Sequence, residues 1–407
     1  MLALEGHGAG FLPEVDAGRI TPASTSDGDG TRVQWRIGDE TGQPVDLGTG
    51  FPPLPVGAYG TLPVDSPEAL PITLPISTWA LAEALASAHR AGVPQPAVLH
   101  FNNCFNMALE HLHTIAPHAG VATGYANYNF FTAGTYYPKV FERLRQARSA
   151  TAEELAQWFA AANDQLLAAK GNHPTIGATL HLARMKQLAS AVERMAAELT
   201  AALQPANPAD RPPALARIKA AIAAALQYDT QGDYGLDVPD QATDLGSLAV
   251  QLQRQFPAGL VHDAAVAVET ALIGVWQYGA FEHPHVDEAQ TWDFRDNRLG
   301  ISILLPDPAL EGLWDWRSPY YMAGAVDPAK PPALKAQIPF LADRPGGVRA
   351  PWPAFVQEYH RDVPFVGLLR IRPPEFPLFD AEFKPKYPPP DDGDGGGAGS
   401  CGPKGAV

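Results

Sequence analysis

AVLHFNNC at residues 97–104 is the most informative segment for the fold, because a short, mostly apolar run leads directly into Asn-Asn-Cys. A run of this kind between turn residues is typical of a strand that is buried on both faces. It predicts a buried strand with Cys104 at its carboxyl end. A helix is predicted before it, from Ser77 to about His89, and GVATG at 120–124 predicts a further short strand after it.

The first residues of the chain carry a second pattern of the same type. MLALEG at 1–6 predicts a buried strand, and the HGAG that follows predicts a turn containing His7. Residues 8–75 are rich in Gly, Pro, Asp and Thr, which favours turns and long loops with a short hairpin around 31–37. His7 and Cys104 are therefore both expected at the carboxyl ends of strands.

The rest of the chain is mainly helical as far as residue 278. Thr151 and Glu154 form a capping box that predicts a helix start. Further helices are predicted at 179–203, 212–227, 244–256 and 262–278, and a buried strand is predicted at 299–306. Short strands that alternate with helices indicate an α/β fold with a parallel or mostly parallel sheet, in which chemistry gathers at the carboxyl ends of the strands.

Composition excludes several classes of function. Hydrophobic residues make up 46% of the 407 residues, so a large core can form, and the formal net charge of −15 disfavours a phosphate backbone as partner. We therefore expect no nucleic acid, and the absence of a long apolar run predicts no membrane span. No signal peptide precedes the first strand, which favours the cytoplasm, although the true start is expected upstream and the compartment stays open.

The familiar sequence motifs are absent. There is no Walker-type phosphate loop and no G-x-S-x-G, so neither a P-loop enzyme nor a simple α/β-hydrolase is indicated. No C-x-x-C or H-E-x-x-H occurs, and we predict no metal site. The two cysteines, Cys104 and Cys401, lie in such different settings that they do not predict a disulfide framework.

A histidine and a cysteine at neighbouring strand ends suit nucleophilic catalysis. A thiol attacks a carbonyl as its thiolate, and a nearby imidazole both favours that anion and protonates the leaving amine. The developing oxyanion needs backbone N–H donors, for which Gly8 and Cys104 are the candidates. From the residues alone, Cys104 is also explained as a small buried hydrophobe.

The segments around both residues resemble a known family. LALEGHGAGF looks like the histidine strand of clostripain-like cysteine peptidases, and FNNCFNMALEHLHTIAPHAGVATG looks like their nucleophile segment. In that alignment, Met107 and Glu110 fall near the methionine and the glutamate of the family. DQATDLGSLAVQL and LGISILLP resemble two later segments, in the same order along the chain.

The resemblance implies a caspase-like sheet flanked by helices and a cysteine endopeptidase acting through His7 and Cys104. It implies a catalytic core at 1–150 without the first strands of that fold, then a helical subdomain with the last core strand at 151–306. A Pro-rich region at 307–385 and a disordered tail at 386–407 follow. No cofactor is predicted, and calcium is implied by the resemblance alone.

One departure from the family concerns specificity. The family has aspartate two residues before the cysteine, where this chain has Asn102. Without acidic groups there, we expect a neutral or aromatic-lined pocket for a peptide or protein substrate. Its candidate residues are Asn102, Asn103, Thr123, Tyr125 and Tyr128.

The alternative is a binding or scaffold protein on the same fold that has lost turnover. The change at Asn102 and the short N-terminus favour it. Retention of both His7 and Cys104 disfavours it, because packing does not require both.

Overall fold

The structure is a computed structural model of the chain. It describes the side chains of nine segments and the backbone of several short strands between them. The segments are 1–5, 78–127, 129, 134–147, 149–166, 177–228, 242–275, 300–305 and 338–362.

Sixteen strands lie in the described part of the chain, most of them short. In chain order they are β1 (Leu2–Glu5), β2 (Glu14–Val15), β3 (Ile20–Asp27), β4 (Gly30–Gly38), β5 (Pro44–Val45), β6 (Leu54–Pro55), β7 (Val98–Asn102), β8 (Val121–Tyr125), β9 (Gly177–His181), β10 (Gln227–Tyr228), β11 (Ala242–Asp244), β12 (Trp276–Gly279), β13 (His285–Val286), β14 (Thr291–Trp292), β15 (Ser302–Leu304) and β16 (Leu334–Ala336).

The α-helices of the described segments are α1 (Thr78–Arg90), α2 (Leu109–Ile115), α3 (Tyr137–Ala147), α4 (Ala152–Ala169), α5 (Met185–Leu203), α6 (Arg211–Ala223), α7 (Leu245–Gln255), α8 (Leu260–Val275) and α9 (Pro351–Tyr359). The capping box is confirmed at the start of α4. The Thr151 N–H donates to Glu154 Oε2 at 2.9 Å, and the Glu154 N–H donates to Thr151 Oγ1 at 3.1 Å. Two orphan donors of the first turn are thereby satisfied.

A five-stranded sheet forms the centre of the fold, in the order β1-β7-β8-β9-β12. β1 pairs with β7 and β7 with β8 in parallel, whereas β9 is antiparallel to both of its neighbours. Four of the five strands therefore run in the same direction. The predicted α/β class with a mostly parallel, helix-flanked sheet is confirmed.

Strand β7 shows how this sheet is buried on both faces. Leu99 and Phe101 lie in the main core cluster with residues of α1, α2 and α5, whereas Val98 belongs to a separate cluster with α4. All five residues of β7 are buried. Successive side chains of a strand point to opposite faces, so a helix layer on each side is needed to cover such a strand.

The bounds of one helix and the burial of one strand differ from the sequence predictions. The helix predicted at 179–203 begins only at Met185, because Gly177–His181 forms β9. The strand predicted at 1–6 forms, but it lies at the edge of the sheet with Leu2 37% exposed, so it is not a buried strand. Local apolar spacing does not separate a short strand from a helix start. It also does not separate an edge strand from a central one, because the two differ only in their pairing partners.

A three-stranded antiparallel sheet, β10-β11-β15, contains the strand predicted at 299–306. The resemblance implied that this strand was the last strand of the core sheet. It belongs to the three-stranded sheet and not to the five-stranded one. It is joined to the Cys104 region by a bridge between Ala108 and Ser302 and by the Leu304 N–H, which donates to Glu110 Oε1 at 2.9 Å. Glu110 thus links α2 to the small sheet.

The remaining strands form small sheets. β3 pairs with β4 over 20–27 and 30–38, a longer hairpin than the one predicted around 31–37. β4 also pairs with β5 and β6, β13 pairs with β14, and β16 pairs with β2. The division of the chain at 150, 306 and 385 stays a prediction.

Among the helices of the described segments, none combines the length and the hydropathy that spanning a bilayer requires.

Candidate active site

The carboxyl ends of β1 and β7 lie next to each other at one edge of the central sheet. In the parallel register, Glu5 is opposite Asn102, and Asn102 Nδ2 donates to Glu5 Oε2 at 3.2 Å. His7 follows Glu5 by two residues, just as Cys104 follows Asn102 by two. His7 and Gly8 lie outside the described residues, so their predicted roles stay predictions.

Cys104 is fully buried, with 0% of its surface exposed. Its Sγ accepts a hydrogen bond from the backbone N–H of Asn129 at 3.4 Å, and its carbonyl accepts one from Asn106 Nδ2 at 3.1 Å. Cys104 is also disulfide-bonded, contrary to the expectation from sequence, and the second sulfur lies outside the described residues. A molecule from solvent therefore reaches this sulfur only after reduction of the bond and local movement of the covering chain.

The residue after Cys104 has a strained backbone. Phe105 has φ +56°, in the left-handed region that a bulky side chain adopts at a cost of about 1–3 kcal/mol. Two hydrogen bonds hold the turn: the Phe105 N–H donates to the Asn127 carbonyl at 3.1 Å, and the Met107 N–H donates to the Tyr125 carbonyl at 3.3 Å. The Cys104 turn is thus held against the segment that follows β8.

Three buried asparagines form a chain of hydrogen bonds beside Cys104. Asn163 Nδ2 of α4 donates to Asn129 Oδ1 at 2.7 Å, and Asn129 Nδ2 donates to Asn102 Oδ1 at 2.8 Å. Asn102 Oδ1 also accepts a hydrogen bond from the Tyr136 hydroxyl at 3.2 Å. Each asparagine is 0% exposed. Because unpaired buried amides are costly, this network defines one arrangement of the strand ends and α4.

An aromatic cluster closes the same face of the sheet. His100 Nε2 lies 2.6 Å from the Tyr136 hydroxyl, and the His100 ring lies 5.0 Å from that of Phe159 on α4. Burial lowers the pKa of His100 to about 3, so its imidazole is neutral at physiological pH. Tyr137 donates its hydroxyl hydrogen to Glu5 Oε1, and burial raises the pKa of both tyrosines.

The predicted pocket residues occupy different settings. Asn102 and Thr123 are buried and bonded within the protein, the latter through the Thr179 hydroxyl at 3.3 Å, and Tyr125 is also buried. Asn103 is half-buried and accepts a hydrogen bond from Asn106. Tyr128 lies outside the described residues. The arrangement does not present Asn102, Thr123 or Tyr125 to a ligand, and their part in specificity stays a prediction.

Metal binding was not expected from the sequence. Within the segments described above, no group of three or more His, Cys, Asp or Glu side chains is placed to hold a metal ion. The calcium implied by the family resemblance stays untested.

The sequence alone did not single out Asn129, Asn163 or Glu5. The available signal was the polar residue within an otherwise apolar or aromatic stretch, as in YANYNFF around Asn129 and AAANDQL around Asn163. A buried asparagine in such a stretch needs partners. The identity of those partners depends on which elements meet.

Comparisons with known proteins give structural likeness only. No family model and no curated protein matches the chain. A cysteine protease of B. fragilis matches with 15% identity and a TM-score of 0.36, over 58% of this chain and 87% of that one. A secreted C11 cysteine protease of Bacteroides thetaiotaomicron, bound to an irreversible peptide inhibitor, matches with 13% identity and a TM-score of 0.39, over 76% and 85%.

An inactive zymogen of a C11 protease from Parabacteroides distasonis also matches, with 13% identity and a TM-score of 0.36, over 58% of this chain and 59% of that one. These structures carry the C11 and cysteine-protease names, and another similar structure is called a clostripain. The function proposed below rests on contacts within this chain.

Proposed function

We propose that this chain is a cysteine endopeptidase in which Cys104 is the nucleophile and His7 is its acid–base partner. The observation that supports the proposal is the register of β1 and β7, which pairs Glu5 with Asn102. Both strands run in the same direction, so their carboxyl ends lie at the same edge of the sheet. The proposed pairing brings His7, two residues after Glu5, to the side of Cys104, two residues after Asn102.

The proposed reaction has two halves. The Cys104 thiolate attacks the peptide carbonyl carbon and forms a C–S bond, and the oxygen that becomes negative is stabilised by the N–H groups of Gly8 and Cys104. Collapse breaks the C–N bond, and the His7 imidazolium protonates the leaving amine. Water, deprotonated by His7, then attacks the thioester carbonyl and the C–S bond breaks, which releases the acid and restores the thiolate–imidazolium pair.

The substrate is proposed to be a peptide or protein with a neutral or aromatic residue before the cleaved bond. Asn102 occupies the position at which an acidic residue would attract Lys or Arg, and its amide is already used by Glu5 and Asn129. The specificity pocket is proposed to involve Asn102, Asn103, Thr123, Tyr125 and Tyr128. Local movement must precede binding, because the described members of this set are largely buried.

The experiment compares cleavage of a diverse peptide library by the reduced wild type, Cys104→Ala, His7→Ala and Cys401→Ser. Cleavage should be lost in Cys104→Ala, fall by roughly 10³-fold or more in His7→Ala, and persist in Cys401→Ser. Full activity of Cys104→Ala would refute the proposal. Cys401→Ser is the matched control, because it removes the other cysteine of the chain.

A binding or scaffold role is the second candidate, and the state of Cys104 favours it. The sulfur is fully buried and disulfide-bonded, which suits a structural cysteine. A peptide electrophile separates the two functions after reduction. Labelling of Cys104 that depends on His7 supports the peptidase, whereas slow labelling of Cys104 and Cys401 at equal rates supports the scaffold.

A further inference from the structure

The backbone N–H of Asn129 is the hydrogen-bond donor that the described structure places on the sulfur of Cys104, at 3.4 Å. An N–H group that points at sulfur interacts more strongly with a thiolate than with a neutral thiol. The same contact also restrains the direction of the sulfur lone pairs. It therefore bears on both the charge and the aim of the proposed nucleophile.

The side chain of Asn129 is held at both of its polar atoms. Oδ1 accepts from Asn163 on α4 and Nδ2 donates to Asn102 at the end of β7, at 2.7 and 2.8 Å. An amide that is bonded on both sides cannot rotate without leaving buried groups unpaired. The position of the Asn129 N–H is thus set by two elements that do not include the Cys104 turn.

The Cys104 turn is fastened separately to the same segment. The Phe105 N–H donates to the carbonyl of Asn127, and within the turn Asn106 Nδ2 donates to the carbonyl of Cys104. The sulfur and its donor are therefore held by two sets of hydrogen bonds, one to the Asn129 side chain and one within and behind the turn. Such preorganisation is what stabilisation of a charged group requires, because no rearrangement is needed when the charge forms.

We propose that Asn129 is a positioning residue whose backbone N–H, anchored through Asn102 and Asn163, stabilises and aims the Cys104 thiolate. The inference rests on the proposed function for the use of that thiolate. It concerns residues outside the His7–Cys104 pair, and the chemistry involves no bond formation by Asn129. Asn163, although it lies on α4, acts on the sulfur only through Asn129.

The test is the pH dependence of Cys104 alkylation by iodoacetamide, because the rate follows the thiolate fraction. Cys401→Ser in the presence of a phosphine reductant serves as the parent, so that the label reports Cys104 alone. We expect a midpoint below the ordinary thiol pKa of roughly 8.5. The described titratable groups beside the network stay unchanged in the variants below: Glu5, His100, Tyr125, Tyr136 and Tyr137.

Two pairs of variants isolate the donor. Asn129→Pro removes the N–H, whereas Asn129→Ala keeps it and loses only the side-chain anchors. Asn163→Ala removes one anchor from α4, and Tyr228→Phe removes a buried hydroxyl of the small sheet as a control for general destabilisation. The midpoint should rise by about one pKa unit in Asn163→Ala and Asn129→Ala, more in Asn129→Pro, and not at all in Tyr228→Phe.

An unchanged midpoint in Asn163→Ala overturns the inference, and this variant decides the matter if Asn129→Pro does not fold. Equal midpoints for Asn129→Pro and Asn129→Ala also overturn it. Peptide cleavage by the parent is measured separately. If the parent cleaves peptides and the alkylation midpoint is unchanged in the variants, the inference fails and the proposed function stands. If the parent does not cleave peptides and the midpoint shifts, the proposed function fails and the inference about the thiolate stands.

Discussion

Glu5 and Asn102 lie side by side on adjacent parallel strands, and the Asn102 amide donates to the Glu5 carboxylate at 3.2 Å. Asn102 also accepts hydrogen bonds from Asn129 and Tyr136, so both ends of its amide are used. The pair joins the edge strand of the sheet to the strand that leads into Cys104. An amide is required here because one atom must donate while the other accepts.

Asn102→Asp should therefore destabilise the protein at neutral pH. It removes the donor to Glu5 and places two carboxylates in contact, at an expected cost of about 3 kcal/mol. Like charges and burial raise the folded pKa of the new carboxyl, so the lost stability should return as the pH falls below that pKa. Urea unfolding at pH 7 and pH 5 measures both effects.

Asn103→Asp is the matched control, because Asn103 is the half-buried neighbour without a contact to Glu5 among the described hydrogen bonds. Its unfolding free energy should change by less than about 1 kcal/mol. Equal effects of the two substitutions would contradict the account of Asn102.

Acid should weaken the fold through its buried histidines. Burial lowers the pKa of His111 to about 4 and that of His100 to about 3, below the ordinary 6.5. The unfolded chain binds these protons first, so the stability present above pH 6.5 is lost as the pH falls towards the folded values. At pH 5 each histidine should contribute a loss of roughly 2 kcal/mol.

His111→Gln should flatten this acid dependence, as measured by urea unfolding between pH 7 and pH 5. His111 Nδ1 lies 3.1 Å from the Thr78 hydroxyl, which an amide can still contact. The exposed His89 supplies the control substitution His89→Gln, which should leave the slope as it is. The same slope in both variants and in the wild type would refute the assignment.

Asp244 should produce a pH dependence of the opposite sign. Burial raises its pKa to about 6 from 3.8, against opposing hydrogen bonds from the Ser247 N–H, the Tyr228 hydroxyl and the Gly300 N–H. The folded state retains this proton longer than the unfolded one. Its contribution is thus complete below about pH 4 and is lost as the pH rises through 6, by roughly 3 kcal/mol.

In Asp244→Asn, the free energy of unfolding should no longer fall as the pH rises from 4 to 6. The substitution should also lower stability at all pH values, because it disturbs the start of α7. The exposed Asp263 gives the control Asp263→Asn. The difference in unfolding free energy between each variant and the wild type is measured across the range. A constant difference for Asp244→Asn would show that the carboxyl does not titrate there.

Gly124→Ala should disturb the packing below Cys104. A Cβ at this position would lie 3.0 Å from Phe101 Cβ and 3.1 Å from Met107 Sδ, so one of them must shift. We expect a loss of about 1–3 kcal/mol by thermal unfolding. Gly274→Ala on α8 is the control: its Cβ would meet nothing within 4 Å, and it should stabilise by up to about 1 kcal/mol.

Parts of this fold were predictable because their signals are local. Helix α1, strands β7 and β8, and the capping box of Thr151 and Glu154 all follow from residues a few positions apart. The stretch from 179 to the start of α5 was misassigned for the same reason. Its leucines suit a helix as well as a strand, and only pairing with β8 and β12 selects the strand.

Apolar periodicity and turn residues act within a few positions, so they predict a mostly parallel α/β fold and put a histidine and a cysteine just after predicted strands. The register that pairs Glu5 of β1 with Asn102 of β7 is seen only in the folded chain, as are the contacts of Asn129 with Asn163 and with the sulfur of Cys104. Those contacts join residues between 25 and 97 positions apart. Their energies depend on burial and on partners that no local pattern specifies.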